Sequence, residues 1–230
     1  MLKLLNNIGD KKAAIFFDFD NTVTLQDTID SVLIDYSTTN NWLKLEKEWK
    51  SGKIGSRKCL KGQMKDVRIT KGQLNEYLAT IKLDPYFKKI ALFLESKKIK
   101  PIILSDNFDY FIKYALKTHG IKGIKVFSNS MTFSENRILT KFPFRNNKCL
   151  RCAHCKKKNM FRNTPVGAIS IYIGDGLSDV CPAKHADIVF AKDHLIKILK
   201  RKKVSCVPFK SLKDVYNKLR KDLKCISNKN

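Results

Sequence analysis

Ala13-Ala14-Ile15-Phe16-Phe17-Asp18-Phe19-Asp20-Asn21-Thr22 decides how this chain is read. An apolar run delivers two carboxylates, two residues apart, to the point where a strand would end. Strand side chains alternate faces, so Asp18 and Asp20 share a face if strand geometry continues through them. Two acids held together repel each other and lose hydration unless a cation joins them. The stretch therefore predicts a hard-metal site and a site of covalent chemistry.

Other apolar runs break off in the same way. Pro101–Leu104 runs into Ser105, and Ile169–Ile173 runs into Gly174-Asp175, while Ile188-Val189-Phe190 follows Asp187. Continuous apolar runs rich in Ile and Phe are how strands buried on both faces read. Helical patterns lie between them, at Pro85–Lys98, Phe108–Gly120 and Asp179–His185. Such alternation predicts an α/β fold: a doubly wound parallel sheet with helices on both sides. Ligands in these sheets bind beyond the carboxyl ends of the strands, which is where Asp18, Ser105 and Asp175 would meet.

The segment Thr28 to Leu83 breaks the alternation. Ile29-Val32-Leu33-Tyr36 and Trp42-Leu45-Trp49 have helical spacing, and Gly52, Gly55, Gly62 and Gly72 mark turns. This predicts a small helical cap, residues 27–83, inserted after the first strand. The core domain would comprise 1–26 and 84–230. Phe127–Phe144 reads as a hairpin around Ser134-Glu135-Asn136. The tail, Val204–Phe209 followed by an amphipathic Leu212–Leu223, is expected to cover a sheet edge.

The chain has 230 residues, 43% of them hydrophobic, enough for one sizeable domain with an insert. No run approaches the roughly 20 apolar residues of a membrane span. Met1–Asp10 lacks the apolar core and cleavage site of a secretory signal, so a cytoplasmic location is expected. Lys and Arg number 46 against 21 Asp and Glu, a net charge of +25. The lysines are spread along the chain, and the clusters 156–158 and 200–203 lack interleaved aromatics. This predicts a solvated basic surface rather than a dedicated nucleic-acid face. A basic nucleic-acid-binding protein on the same scaffold is the non-enzyme alternative. The seven cysteines, an odd number, suggest reduced thiols. Cys149, Cys152 and Cys155, with His154 alongside, also have spacing suited to a thiolate site for Zn²⁺ or an iron–sulfur cluster.

Asp18-Phe19-Asp20-Asn21-Thr22, Ser105, a lysine among 156–158, and Gly174-Asp175-Gly176-Leu177-Ser178-Asp179 together resemble the four motifs of the haloacid dehalogenase (HAD) superfamily, in chain order. The resemblance is closest to the phosphoserine-phosphatase-like branch, whose cap follows the first motif. Within it, the Cys-rich stretch before Lys156 resembles the methylthiopentenyl-phosphate phosphatases. Phosphocholine and phosphoethanolamine phosphatases are more loosely similar.

The resemblance implies a HAD-like Rossmannoid fold and an Mg²⁺-dependent phosphomonoesterase acting on a small phosphorylated metabolite. Asp18 would be the nucleophile, forming an aspartyl-phosphate. Asp20 would protonate the leaving group and then activate water. The dehalogenase members lack this second Asp, so its presence points to phosphoryl transfer. Asp18, the Asp20 carbonyl and Asp175 would hold Mg²⁺. Asp179, one helical turn on, would orient the lysine. Ser105 and Asp106 would bind phosphate with that lysine, and the Cys-x-x-Cys-Lys pattern favours Lys156 over Lys157 or Lys158. Phosphoserine phosphatases carry a Glu nine positions after the nucleophile, where this chain has Asp27. The nearest equivalents of their cap arginine are Arg57 and Lys61, a departure that counts against phosphoserine as substrate.

Overall fold

The computed structural model describes residues 12–149 and 151–223. The signal-peptide expectation at Met1–Asp10 and the thiol of Cys225 lie outside those residues. A seven-stranded sheet has the order β4-β3-β2-β1-β5-β6-β7. Its strands are β1 (Ala13–Phe17), β2 (Ile102–Phe108), β3 (Lys125–Ser134), β4 (Arg137–Lys141), β5 (Ile169–Gly174), β6 (Ile188–Ala191) and β7 (Val207–Pro208). Every pairing is parallel except β3 with β4, the hairpin read from the sequence, which closes at Ser134↔Arg137.

Strand alternation makes the fold doubly wound. Ile15 and Phe17 face one apolar cluster, together with Phe87, Ile90, Phe111 and Val215. These come from α5 (Pro85–Ser96), α6 (Asp109–Thr118) and α10 (Leu212–Asp222). Ala14 and Phe16 face the other cluster, with Met160, Ala183, Leu195 and Leu199. Those side chains come from α7 (Lys156–Arg162), α8 (Val180–Ala183) and α9 (Asp193–Arg201). Phe16 and Phe17 are both fully buried. Each face of this one strand thus anchors a separate helical layer, as its unbroken apolar run requires.

Four helices intervene between β1 and α5: α1 (Thr28–Tyr36), α2 (Asn41–Lys50), α3 (Ser56–Lys65) and α4 (Lys71–Thr80). The connections into and out of this insertion are tied together. Thr24 bridges Leu83, Leu25 N–H donates to Lys82 O at 3.0 Å, and Asp84 N–H donates to Val23 O at 2.9 Å. The helix starts are encoded locally. Asp27 caps α1 by accepting from the Ile29 and Asp30 amides, and Thr70 and Gln73 form a reciprocal capping box on α4. In the tail, Val207–Pro208 forms the edge strand beside β6, the Phe209 amide adds a bond to Ala191 O at 3.1 Å, and α10 packs on α5, with Leu212 N–H donating to Asp84 Oδ2 at 2.9 Å.

Candidate active site

β1 hands the chain to the site one residue beyond its own end. The Asp18 amide donates to Ile173 O at 2.9 Å, extending the β1–β5 pairing. The backbone then curls so that the amides of Thr22, Val23 and Thr24 converge on Phe19 O at 3.2, 2.8 and 3.0 Å. Asn21 takes the left-handed conformation (φ 53°), which Asn tolerates better than most residues. Strand alternation therefore stops before Asp20. The two carboxylates line one cavity but engage different partners. Asp18 Oδ1 accepts from the Phe19 amide at 2.7 Å and pairs with Lys156 Nζ at 2.8 Å. Asp20 turns instead toward Thr28 and Asn107.

Of the three lysines left open by the sequence, Lys156 is the one brought to Asp18, while Lys157 is half-buried and Lys158 exposed. Lys156 opens α7, and all three of its N–H bonds are used: Asp179 Oδ1 at 2.7 Å, Asp18 Oδ1 at 2.8 Å and Ser178 Oγ at 3.0 Å. Asp179 is fully engaged. Oδ1 also accepts the Tyr172 hydroxyl at 2.6 Å, and Oδ2 takes the amides of Asp175 and Gly176 at 3.0 Å each. Asp175, one residue past β5, accepts the Thr22 hydroxyl at 2.8 Å through Oδ1.

The third strand end is irregular. The β2–β3 register shifts between Leu104 and Phe108, and Ser105, Asp106 and Asn107 lie in that stretch. Such irregularities re-aim side chains. Ser105 Oγ accepts the Asn107 amide at 3.0 Å, which leaves its O–H as a donor toward the cavity. The Asp106 carboxylate is occupied by protein: Oδ2 accepts the Ser56 hydroxyl of α3 at 2.9 Å, and Oδ1 accepts the His154 amide at 3.1 Å. His154 is buried with its ring between Ser105 O (Nδ1, 3.0 Å) and the Asn159 amide (Nε2, 2.6 Å). Those contacts assign the proton to Nδ1.

Burial dominates the electrostatics. It raises the Asp18 carboxyl well above its ordinary value, and Asp179 and Asp175 add to this against the pull of Lys156. Burial, with Asp179 second, lifts Asp175 to about 7, and burial with Asp27 lifts Asp20 to about 7. Lys156 runs the other way. Burial disfavours its charge, but Asp179, Asp18 and Asp106 outweigh that and hold the ammonium above its ordinary value. Burial likewise opposes ionisation of Asp179, but Lys156 prevails and its carboxyl is lowered. Burial, followed by the nearby Lys156 charge, depresses His154 to about 3.

Among the described residues, one group brings three metal-ligating atoms together: Asp18, Asp175 and Asp179. Asp179 has no oxygen to spare. Asp18 and Asp175 each keep an oxygen that no protein donor engages among the described residues. Two carboxylate oxygens opening on a cavity are a donor set that suits a hard divalent cation. The thiols of Cys149, Cys152 and Cys155 do not gather in this way. Zn²⁺ or an iron–sulfur cluster there is therefore not supported. Cys155 is instead the residue from which α7 starts.

The cavity has a volume of about 580 Å³, with the strand ends on one side and the helical insertion on the other. Asp27, Asp30, Glu46 and Trp49 line it from the insertion, as do Ser56, Cys59 and Gln63 on one face of α3. Arg57 and Lys61 lie off that face and are not among the lining residues. Burial and Asp30 push Asp27 to about 6, and burial and Glu46 push Asp30 to about 6, as expected for crowded acids. The one insertion lysine lining the cavity, Lys50, is ion-paired with Glu46. The sequence reading missed Asn107, Thr28, Thr22 and Tyr172. Asn107 stands two residues beyond Ser105, so the alternation applied to Asp18 and Asp20 could have singled it out.

A family model described as "Putative Phosphatase" matches residues 13–217. The chain is 27% identical to Pdp3-interacting factor 1 of Schizosaccharomyces pombe, over 92% of this chain and 96% of that protein. It is also 27% identical to a 2-hydroxy-3-keto-5-methylthiopentenyl-1-phosphate phosphatase of Geobacillus thermodenitrificans, over 92% and 97%. A structure of phosphoserine phosphatase holding a phospho-aspartyl intermediate analogue superposes with a TM-score of 0.71 at 19% identity, covering 90% of this chain and 98% of that one, and so shares the fold. The chain belongs to the "Putative Phosphatase" family and is a phosphoric monoester hydrolase with the haloacid dehalogenase fold that phosphoserine phosphatase shares.

Proposed function

We propose that this phosphatase hydrolyses a small phosphorylated metabolite through an aspartyl-phosphate on Asp18. The observation that carries this reading is the convergence of Asp18, Ser105 and Asp175 from three separate segments onto one cavity, with the buried Lys156 ion-paired to Asp18. Asp18 is the nucleophile and Asp20 the acid–base. Ser105 O–H faces the phosphate oxygens, while the Lys156 ammonium, held by Asp179 and Ser178 against Asp18, supplies positive charge beside the nucleophile. Asp18 and Asp175, with the Asp20 carbonyl, would hold Mg²⁺. The ion would neutralise charge on the transferring phosphoryl group. The Asp106 side chain, committed to Ser56 and His154, tethers the insertion to the core, and its part in phosphate binding is left to its backbone.

2-Hydroxy-3-keto-5-methylthiopentenyl-1-phosphate is the substrate in the name of the Geobacillus relative. A second reading is favoured by the acidic wall of Asp27, Asp30 and Glu46 with Trp49 beside it: a phosphate ester whose leaving group carries a cation, such as phosphoethanolamine or phosphocholine. Carboxylates and an aromatic face are complementary to an ammonium. The same wall would repel the carboxylate of phosphoserine, and Arg57 and Lys61 stand outside the cavity. Phosphate release with Mg²⁺ from these four esters is the test. Phosphoserine as the preferred substrate, or no release from any phosphomonoester, would refute the respective half of the proposal.

A further inference from the structure

Asn107 is 1% exposed and its amide orientation is fixed, because Oδ1 accepts the Phe108 N–H at 2.5 Å. Nδ2 therefore faces the acids. One N–H donates to Thr28 Oγ1 at 2.7 Å, and the other is shared between Asp20 Oδ2 at 2.8 Å and, more weakly, Oδ1 at 3.1 Å. Thr28 is fully buried and completes the ring, its hydroxyl and amide donating to Asp20 Oδ1 at 2.7 and 2.9 Å. The Thr28 hydroxyl and amide thus both occupy Oδ1, and the Asn107 N–H, shared between the two oxygens, favours Oδ2.

We propose that Asn107, together with Thr28, is a positioning residue that holds Asp20 for proton transfer at Oδ2. The inference rests on the reading of Asp20 as the acid–base. With Oδ1 saturated by donors, Oδ2 is the oxygen with a lone pair left to carry the proton. When the Asp18 carboxylate attacks phosphorus, the bond from phosphorus to the ester oxygen breaks and its electron pair stays on that oxygen. The Asp20 proton moves to the oxygen, giving an alcohol, the aspartyl-phosphate and an ionised Asp20. Water then attacks phosphorus and its proton returns to Asp20. The bond from phosphorus to Asp18 breaks, releasing inorganic phosphate and restoring both acids. A carboxyl free to rotate would spend less time in line with the ester oxygen. The amide of Asn107 also docks on Ser105 Oγ, so one residue sets the acid and the phosphate-facing hydroxyl in register.

Leaving-group dependence tests the proposal, because a poor leaving group needs the proton and a good one does not. The readout is kcat/KM, which covers steps through formation of the aspartyl-phosphate. Asn107→Ala is expected to lose about 100-fold on n-butyl phosphate but less than about threefold on dinitrophenyl phosphate, the range of general acid catalysis. Thr28→Val, nearly isosteric, should lose activity with the same selectivity and serves if Asn107→Ala does not fold. Equal losses on both esters in both variants would overturn the inference. Asp20→Asn is the comparator. If it is selective for the poor leaving group while the Asn107 and Thr28 variants are not, positioning by Asn107 fails and the role of Asp20 stands. If Asp20→Asn shows no selectivity, the acid–base reading falls and the inference with it.

Discussion

Lys156→Met removes the cation at the centre of the site while keeping much of the side chain's volume. Its ammonium lies 2.8 Å from Asp18 and 2.7 Å from Asp179, with the Lys156 side chain 2% exposed and that of Asp179 fully buried. Removing one partner of such a pair leaves an uncompensated buried charge, a loss of about 3–5 kcal/mol. For a domain of this size each kcal/mol moves Tm by about 2–4 °C, so the variant should melt about 6–20 °C lower at pH 7. The loss should depend on pH in one direction. Asp179 has a lowered value in the folded state, so its stabilisation is present above the ordinary carboxylate value near 4 and is lost as pH falls through the folded value. Lys156 is raised, so its contribution is full below its ordinary value near 10.4 and is lost only as pH rises through the folded value. Both contributions are present at pH 7, and the penalty should shrink in acid as Asp179 is protonated. Adding Asp179→Asn in the Lys156→Met background should recover part of the loss, since it removes the orphaned charge. Thermal and urea unfolding from acid to neutral pH would measure this. A Tm change under about 2 °C at neutral pH, or a loss that does not vary with pH, would refute the reasoning.

Mg²⁺ should raise the Tm of chelator-treated protein more at pH 8 than at pH 5. Asp20 and Asp175 are raised to about 7, so their protonated forms stabilise the fold in acid and that stability is lost as pH rises through about 7, where a bound cation offsets it. Equal shifts at both pH values would contradict this. His154, lowered to about 3, contributes stability above its ordinary value of 6.5 that is lost as pH falls toward 3; His154→Gln should flatten the dependence of unfolding free energy on pH over that interval. Asp30→Asn with Glu46→Gln should raise KM for phosphoethanolamine by about tenfold or more while leaving that for n-butyl phosphate near its original value, because the cation–carboxylate attraction affects only the charged substrate. A parallel change in both KM values would mean that the wall does not read charge.

The sheet was legible because each central strand announces itself twice, by an apolar run and by the polar residue that ends it. Phe16 and Phe17 could be read as buried on both faces without knowing what covered them. Asp18, Ser105 and Asp175 could be brought together because a parallel sheet collects its strand ends along one edge. The geometry of Asp20 was hidden for the same reason that Asp18 was visible. The strand stops at Phe17, and a turn ending on Phe19 O re-aims everything after it. Asn107 and Thr28 are 79 residues apart in sequence, and Thr22 and Asp175 are 153 apart. No local periodicity marks such pairs. The cysteine spacing raised a metal expectation that only three-dimensional convergence could support, and among the described residues no three thiols come close enough together to share an ion.

The central claim is that Asp18 carries the phosphoryl group. Acid quenching during turnover, followed by peptide mapping with mass spectrometry, tests it directly. The phosphoryl group should be found on the peptide containing Asp18, with Asp18→Asn folded, unphosphorylated and inactive. Turnover without phosphate on that peptide, or undiminished hydrolysis by Asp18→Asn, would contradict the account.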